Sequence, residues 1–147
     1  MIVVVDTNIV FSGIANPDGT ISDLLLNSFE RFDFYAPSNL LEELDRHHKK
    51  LLALTGLKES DFNFLMRLIL KRIDIIDIES ISLATRLMAI KITENVDRFD
   101  APFIALAMEL NSVLWTGDKK LSKGLSNLGI DWVLDTVSIK KIRDEQL

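Results

Sequence analysis

The sequence predicts a single α/β domain with a mainly parallel central sheet. Short apolar runs alternate with helical patterns from one end of the chain to the other, which is typical of strands joined by helical crossovers. The 147 residues contain no repeats, low-complexity tracts or linker-like stretches, and 48% of them are hydrophobic. A chain of this size and composition buries a substantial core, so we expect one domain over residues 1–147.

Five runs rich in β-branched and aromatic residues predict strands. They lie at residues 2–5, 32–37, 72–78, 112–116 and 131–135. The first run, IVVV, is apolar at every position, as in a strand that is covered on both faces. A loop rich in Gly, Asn and Pro is expected around 13–19, and Pro37 closes the second strand. Helices between successive strands favour parallel pairing with right-handed crossovers.

Helical periodicity predicts seven helices in the intervening segments. They cover residues 22–29, 40–52, 61–70, 84–90, 101–110, 119–128 and the segment from 136 onward. The third carries an apolar stripe at i, i+3, i+4 and i+7, formed by Phe62, Leu65, Met66 and Ile69. Polar residues suited to N-caps lie at several helix starts: Thr20 or Ser22, Ser38, Ser80 or Ser82, Asp100 and Thr136. The polar stretch 91–100 is predicted to be a loop.

The composition excludes several kinds of functional site. The chain has no cysteine, which excludes disulfides, thiolate metal sites and a cysteine nucleophile, so any metal must be held by oxygen or histidine. No apolar stretch is long enough to span a membrane and no signal peptide is recognisable, so we expect a cytoplasmic protein without a membrane partner.

The net charge of −5 argues at first against a nucleic-acid partner. The chain has 22 Asp and Glu against 17 Lys and Arg. If four of the acids belong to a metal site, the rest of the chain has a net charge of only −1. Divalent ions bound at such a site would reverse its local sign. The charge therefore does not exclude a polyanionic substrate.

Four acids from separate segments are expected at one edge of the sheet. Asp6 directly follows the first strand and Asp118 follows the fourth through a short turn, and the carboxyl ends of parallel strands share one edge. Asp100 begins a helix that runs back into the fourth strand, and Glu43 lies about one turn into the helix after the second. Singly, each acid is more often a cap, a turn residue or a solvated charge. Their shared location indicates a site.

Carboxylates gathered at a partly buried edge raise one another's pKa values, so the cluster needs a counter-charge. Mg²⁺ and Mn²⁺ prefer oxygen ligands, retain several waters and are usually held by one or two direct carboxylates. Such an ion lowers the pKa of bound water and neutralises charge on a phosphoryl oxygen. The acids therefore favour metal-dependent hydrolysis of phosphodiester bonds.

Four stretches of the chain resemble the PIN-domain family, particularly its small prokaryotic members, which include VapC-type toxins. They are VVVDTN, NLLEELDRH, DRFDAPFIALAMEL and SVLWTGDKKL, in the family's order and spacing over nearly the whole chain. The resemblance implies a three-layer α/β/α sandwich around a mainly parallel five-stranded sheet. It also implies a Mg²⁺- or Mn²⁺-dependent endoribonuclease, of the kind found as the toxin of a toxin–antitoxin pair, whose product carries a 5′-phosphate.

The resemblance assigns roles residue by residue. It places the catalytic acids at Asp6, Glu43, Asp100 and Asp118, of which the three aspartates are the metal ligands. Asn8 and Thr116 match supporting positions beside the first and last acid.

Three further acids lie close in the sequence to the four assigned ones: Glu42, Asp97 and Glu94. Glu42 and Glu43 differ by one helical step of about 100°, so only one can face the sheet edge, and the leucine spacing of the helix favours Glu43. Asp97 is interpreted either as an auxiliary, water-mediated ligand or as a solvated loop acid. Glu94 is expected at the surface.

Basic residues follow two of the acids. Lys119, Lys120 and Lys123 are candidates for contacts with RNA phosphates, and ordinary solvated lysines are the alternative. His47 and His48 are adjacent on a helix and point about 100° apart, which excludes a paired ligand site. We expect them in a solvated basic patch.

Other phosphate-handling classes lack their motifs here. The chain has no D-x-D of a haloacid-dehalogenase-like phosphatase, no acid pair of a receiver domain, no D-x-S-x-S and no P-loop. The remaining alternative is an RNA- or protein-binding PIN-like module with little or no turnover, against which the presence of all four acids argues. Action on structured DNA is a further alternative, ranked low because the chain is short for an elaborate DNA clamp.

The resemblance also implies partners. RNA is the expected substrate, a toxin would have an antitoxin protein, and homodimers are typical of the family. The helices FNFLMRLIL and LATRLMAI are candidates for an interface, with an ordinary core role as the alternative.

Overall fold

The computed structural model describes residues 1–145 and contains a five-stranded sheet. The strands are β1 (Ile2–Val5), β2 (Asp33–Pro37), β3 (Ile73–Ile76), β4 (Val113–Trp115) and β5 (Val133–Leu134). Every pairing is parallel, and the strand order is β3-β2-β1-β4-β5. Each strand lies within a predicted run, and the predicted parallel sheet is confirmed.

β1 lies at the centre of the sheet because its side chains are apolar toward both faces. Val3, Val4 and Val5 are each 0% exposed. Val3 and Val5 belong to one hydrophobic cluster and Val4 to the other, as the alternation of side chains along a strand requires. Val3 pairs in register with Phe34 of β2 and Val113 of β4. The residue after Val5 is therefore held by a rigid, fully buried strand.

Helices cover both faces of the sheet and form the outer layers. They are α1 (Thr7–Ala15), α2 (Thr20–Asn27), α3 (Asn39–Arg46), α4 (His48–Thr55), α5 (Glu59–Leu70), α6 (Leu83–Thr93), α7 (Ala101–Glu109), α8 (Lys119–Asn127) and α9 (Thr136–Asp144). Helices α1–α5 and α9 pack with one cluster and α6–α8 with the other, which confirms the three-layer α/β/α architecture. None of the helices in the described part of the chain is long and apolar enough to cross a membrane.

The first helix was not expected from the sequence, which predicts a loop after the first strand. α1 begins at Thr7 and leaves only residues 16–19 between α1 and α2. Asp6 caps the helix, because its carboxylate accepts the backbone N–H of Thr7 at 2.7 Å. β-Branched residues and Gly13 lower the local helix propensity. Tertiary packing compensates by burying three apolar side chains of α1: Ile9, Val10 and Ile14.

The predicted helix over 40–52 is two helices, α3 and α4, separated at His47. The backbone of His47 leaves the helical region with φ −104° and ψ 15°. Its ring contacts Phe11 of α1 edge-on, with 5.4 Å between ring centroids. His48 contacts Phe62 of α5 in the same way at 5.1 Å. Both histidines are therefore half-buried packing residues, and the predicted solvated position is wrong for them, whereas the neighbouring basic residues are exposed: Arg46, Lys49 and Lys50.

One predicted N-cap makes no capping hydrogen bond, and two others are displaced. Ser38 precedes α3, but its side chain makes no capping hydrogen bond. α2 begins at Thr20, so Thr20 and Ser22 lie inside the helix. α9 is capped by Asp135 rather than by Thr136, because the Asp135 carboxylate accepts a backbone N–H of the helix at 2.9 Å. Hydrogen bonds from the side chain and then the backbone N–H of Ser138 lower the pKa of Asp135.

Candidate active site at the carboxyl edge of the sheet

Three of the predicted acids lie where the chain leaves or approaches the carboxyl edge of the sheet. Asp6 follows β1, and its backbone N–H donates to the carbonyl of Trp115 at 3.0 Å, so the pairing of β1 with β4 continues to the end of the strand. Asp118 is the N-cap of α8, just beyond β4. Asp100 ends a short 3-10 turn and leads into α7. The parallel topology brings these distant segments together.

The carboxylate of Asp6 is held by three donors. The Thr116 hydroxyl donates to Asp6 Oδ2 at 2.6 Å, and the Thr7 N–H donates to Oδ1 at 2.7 Å. Asn8 Nδ2 donates to Asp6 Oδ2 at 3.3 Å. Both carboxylate oxygens are thereby oriented, and the predicted supporting residues Asn8 and Thr116 are direct neighbours of the first acid.

Asn8 and Thr116 also fix the turn after β4. While it donates to Asp6, the Thr116 hydroxyl oxygen accepts the N–H of Asp118 at 3.1 Å. Asn8 Oδ1 accepts the N–H of Gly117 at 3.2 Å. These bonds join the start of α1 to the turn that carries the last acid, so the positions of Asp6 and Asp118 are coupled.

Asp6 is strongly desolvated, being only 4% exposed. Burial raises the pKa of Asp6 to about 6, against the opposing effect of the hydrogen bonds from Thr116 and Thr7. The negative charges of Glu43 and Asp118 raise this pKa as well. Ionised Asp6 is therefore unfavourable without a nearby cation.

Asp100 has a carboxylate oxygen without a partner. Its Oδ2 is buried and makes no hydrogen bond within the described residues. Burial, followed by the charges of Asp6, Asp97, Asp118 and Glu43, raises the pKa of Asp100 to about 7. Asp100 occupies the predicted N-cap position of α7, but its side chain makes no capping bond, so the predicted capping role is wrong. A buried oxygen of this kind is suited to a cation, a proton or a bound water.

The two candidate glutamates of α3 differ in their exposure to solvent. Glu43 is half-buried and Glu42 is exposed. The charge of Glu43 acts on both Asp6 and Asp100, which places it on the side of the other acids. Asp118 is also half-buried, and one of its oxygens accepts a backbone N–H of α8 at 3.0 Å. Asp118 thus combines a capping role with a place at the acidic edge.

The remaining predicted residues flank the acids. Asp97 is exposed, and its Oδ1 accepts the N–H of Phe99 at 3.0 Å, which caps the 3-10 turn before α7. Its charge contributes to the raised pKa of Asp100. The three lysines are exposed on the first two turns of α8, beside the last acid: Lys119, Lys120 and Lys123.

The donor set fits a hard divalent cation. None of the ion pairs among the described residues includes any of the four acids: Asp6, Glu43, Asp100 and Asp118. Across residues 1–145, no three acidic or histidine side chains converge as a closed metal cluster. Mg²⁺ or Mn²⁺ needs no such cluster, because it is held by one or two carboxylates and several waters. The orphaned Oδ2 of Asp100 is suited to one of these positions.

One contact that positions the site was not expected from the sequence. A Cβ on Gly124 of α8 would lie 2.8 Å from Cγ2 of Val96, so only glycine allows this close approach without a shift. The contact fixes the loop before Asp100 against α8. Glycine in the middle of a helix costs roughly 0.5–1 kcal/mol relative to alanine. Such a glycine in the sequence is the one local signal of close packing at this point.

A parallel α/β/α sandwich with an acidic carboxyl edge defines a class of proteins suited to cation-dependent chemistry on phosphates. The PIN domain family model matches residues 4–142, and the chain belongs to the PIN-domain family, whose members are generally nucleases. No curated protein matches the chain significantly.

Two solved structures share the fold at low sequence identity. One is VapBC2 from Rickettsia felis bound to a DNA fragment from their promoter, with a TM-score of 0.69 and 18% identity over 92% of this chain and 98% of that chain. The other is a PilT N-terminus domain protein from the hyperthermophilic archaeon Sulfolobus solfataricus P2, with a TM-score of 0.53 and 14% identity over 100% and 97%. At these identities the likeness concerns the fold.

Proposed function

We propose that this protein is a Mg²⁺- or Mn²⁺-dependent endoribonuclease. The observation that carries the proposal is the buried, unpartnered Oδ2 of Asp100. It lies at an acidic edge whose four acids form no ion pair among the described residues. An edge of this kind is unfavourable for folding alone, since burial and mutual repulsion raise the pKa values of Asp6 and Asp100 to about 6 and about 7. A role in binding a cation accounts for it.

Asp6, Asp100 and Asp118 would hold the ion, one or two of them directly and the others through water, and Glu43 would complete the site or orient a water. When bound, Mg²⁺ or Mn²⁺ supplies a Lewis acid that lowers the pKa of water and neutralises charge on the phosphoryl group. In the proposed reaction, water forms a bond to phosphorus and the bond from phosphorus to the 3′ oxygen breaks. The products carry a 5′-phosphate and a 3′-hydroxyl.

The residues around the acids have supporting roles in this reaction. Thr116 and Asn8 keep the Asp6 carboxylate in one orientation through their hydrogen bonds. Burial and the neighbouring acids raise the pKa of Asp100 to about 7, so binding of a cation there would favour the ionised carboxylate. The exposed lysines of α8 attract the RNA backbone beside Asp118.

The proposed partners follow from the family and the fold. RNA is the proposed substrate class. An antitoxin protein is the proposed partner, supported by the likeness to VapBC2, and a homodimer is the proposed assembly. A binding module with little turnover is the second candidate function. The finding that favours it is that no three acidic or histidine side chains of residues 1–145 form a closed cluster.

Matched substitutions on α3 test the endoribonuclease directly. Protein is incubated with a mixed RNA pool and Mg²⁺ or Mn²⁺, with and without a chelator. We expect cleavage that requires the metal and falls about 10-fold or more in Glu43→Gln, the effect typical of residues that orient a metal site. Glu42→Gln is the matched control, because Glu42 is exposed one position away, and we expect its rate within about twofold of the wild type.

Two results would contradict this expectation. Cleavage that persists in the chelator would remove the metal from the mechanism, and equal rates for the two variants would remove Glu43 from the site. If RNA is bound but never cut under any metal, the binding module becomes the better account.

A further inference from the structure

Phe99 is the most exposed large hydrophobic side chain among the described residues, at 85%. Burying a phenylalanine stabilises a fold by about 1.5–3 kcal/mol, which this ring does not contribute. A single exposed apolar residue is common on protein surfaces. The position of this one, immediately before Asp100, makes it relevant to the site.

The ring is carried by an ordered turn. Phe99 is the middle residue of the 3-10 turn Arg98–Asp100, and its N–H donates to Asp97 Oδ1 at 3.0 Å. The N–H of Asp100 donates to the Asp97 carbonyl at 3.1 Å. Val96 packs closely against Gly124 of α8 just before the turn. The backbone that carries the exposed ring is therefore held in a defined place.

The turn places the ring and the acid on different sides. Consecutive Cα atoms are about 3.8 Å apart, and consecutive residues of a 3-10 helix are rotated by about 120°. Asp100 is accordingly half-buried toward the acidic edge while Phe99 is in solvent. A nucleotide next to a phosphate at the proposed site would turn toward the solvent side of the turn to meet the ring.

The surroundings of Phe99 suit an unpaired base and its phosphate. A groove of about 670 Å³ lies beside the ring, lined by Ile90, Glu94, Val96, Asp97, Arg98 and Phe99. Arg98 is exposed and takes part in none of the ion pairs found within residues 1–145, so its guanidinium is available for a phosphate. Stacking adds affinity without positive charge, which matters for a chain with a net charge of −5.

We propose that Phe99 is a substrate-positioning residue that stacks on the base next to the scissile phosphate, with Arg98 contacting the backbone of the same strand. This inference rests on the proposed endoribonuclease function and deepens it, because it specifies RNA that is unpaired at the cleavage site. Bases in a duplex are already stacked on their neighbours, whereas unpaired bases expose faces to aromatic side chains.

The test compares Phe99→Leu, which keeps the apolar volume but removes the aromatic face, with Phe99→Tyr, which keeps the face. The substrates are an unstructured RNA oligonucleotide and a duplex of the same sequence. For the unstructured RNA we expect KM to rise about tenfold in Phe99→Leu, within the range reported for loss of one stacked base, and to stay within about twofold of wild type in Phe99→Tyr. Phe64→Leu is the matched control, because Phe64 is an exposed phenylalanine on α5.

A second readout does not depend on cleavage. The fluorescence of 2-aminopurine in the unstructured RNA is titrated with protein in the presence of a chelator, and we expect quenching by the wild type and by Phe99→Tyr but not by Phe99→Leu. If the wild type cuts no RNA, the proposed function fails while the titration still reports on stacking. If the wild type cuts RNA and Phe99→Leu matches it in both KM and quenching, the role of Phe99 is overturned. An equal rise in KM for duplex RNA, or a loss of dimer in Phe99→Leu without a change in KM, would also overturn it.

Discussion

Replacing Asp6 with asparagine is expected to lower the rate of RNA cleavage by at least about 100-fold, more than the 10–100-fold typical of residues that only support a metal site. Asparagine keeps the size of the side chain and an oxygen that can accept the Thr7 N–H, which caps α1. It removes the negative charge that a divalent cation needs at this position. Cleavage of a fixed RNA is measured with saturating enzyme in Mg²⁺ and in Mn²⁺.

The same substitution should not unfold the protein. Asp6 is 4% exposed with a raised pKa, so removal of its charge relieves a desolvation cost above neutral pH, which offsets the hydrogen bonds from Thr116 and Asn8 that an amide NH₂ cannot accept. We expect the free energy of unfolding of Asp6→Asn at pH 8, measured in chelator, to equal or exceed that of the wild type. Undiminished cleavage by a folded Asp6→Asn protein would remove Asp6 from the catalytic site.

The metal-free protein is expected to be more stable at pH 5 than at pH 8. Folding raises the pKa of Asp6 from 3.8 to about 6 and that of Asp100 from 3.8 to about 7. Between about pH 4 and pH 7 the folded state therefore holds more protons than the unfolded state, and stability falls as the pH rises through that window. The contribution of Asp6 is on the order of 2–3 kcal/mol, because one pKa unit corresponds to about 1.4 kcal/mol.

Urea unfolding across this pH range in a chelator measures the effect. Asp6→Asn should reduce the pH dependence to the part that Asp100 contributes. Mn²⁺ should restore stability at pH 8 in the wild type by binding only the folded state. A wild-type protein whose stability is unchanged or rises from pH 5 to pH 8 would show that the acids are not desolvated as the structure indicates.

The sequence was sufficient to predict the sheet, because the signals for its strands are local. The IVVV run of β1 is buried on both faces, as its uniform apolarity indicates. Parallel pairing then follows from the helical crossovers, and with it the expectation that Asp6 and Asp118 lie at one edge. The choice of Glu43 over Glu42 also rested on a local property, because successive residues of a helix are rotated by about 100°.

Features that depend on tertiary contacts were not predictable. α1 forms through burial of β-branched residues that disfavour an isolated helix. The break at His47 places two imidazole rings against the rings of Phe11 and Phe62, which are distant in the chain. The N-caps of α2 and α9 lie at Gly19 and Asp135, one residue before Thr20 and Thr136. A shift of one residue is smaller than a local sequence signal resolves.

The chemistry of the site was also only partly visible in the sequence. A capping role for Asp100 was a reasonable expectation, but the 3-10 turn capped by Asp97 leaves the Asp100 carboxylate free of the helix. Its unpartnered oxygen is a product of burial by the assembled fold and has no local sequence signal. The approach of Val96 to Gly124, just before the turn, likewise joins segments that are distant in the sequence.

The most direct test of a divalent cation site at this edge is anomalous diffraction from crystals grown or soaked with Mn²⁺. We predict an anomalous peak about 2.0–2.2 Å from Oδ2 of Asp100, within reach of Asp6 and Asp118 directly or through water. The peak should be absent from Asp100→Asn crystals treated identically. Two results would contradict the assignment of the acidic edge as the active site. One is that saturating Mn²⁺ supports RNA cleavage but gives no peak among these three aspartates, and the other is that the peak lies elsewhere on the molecule.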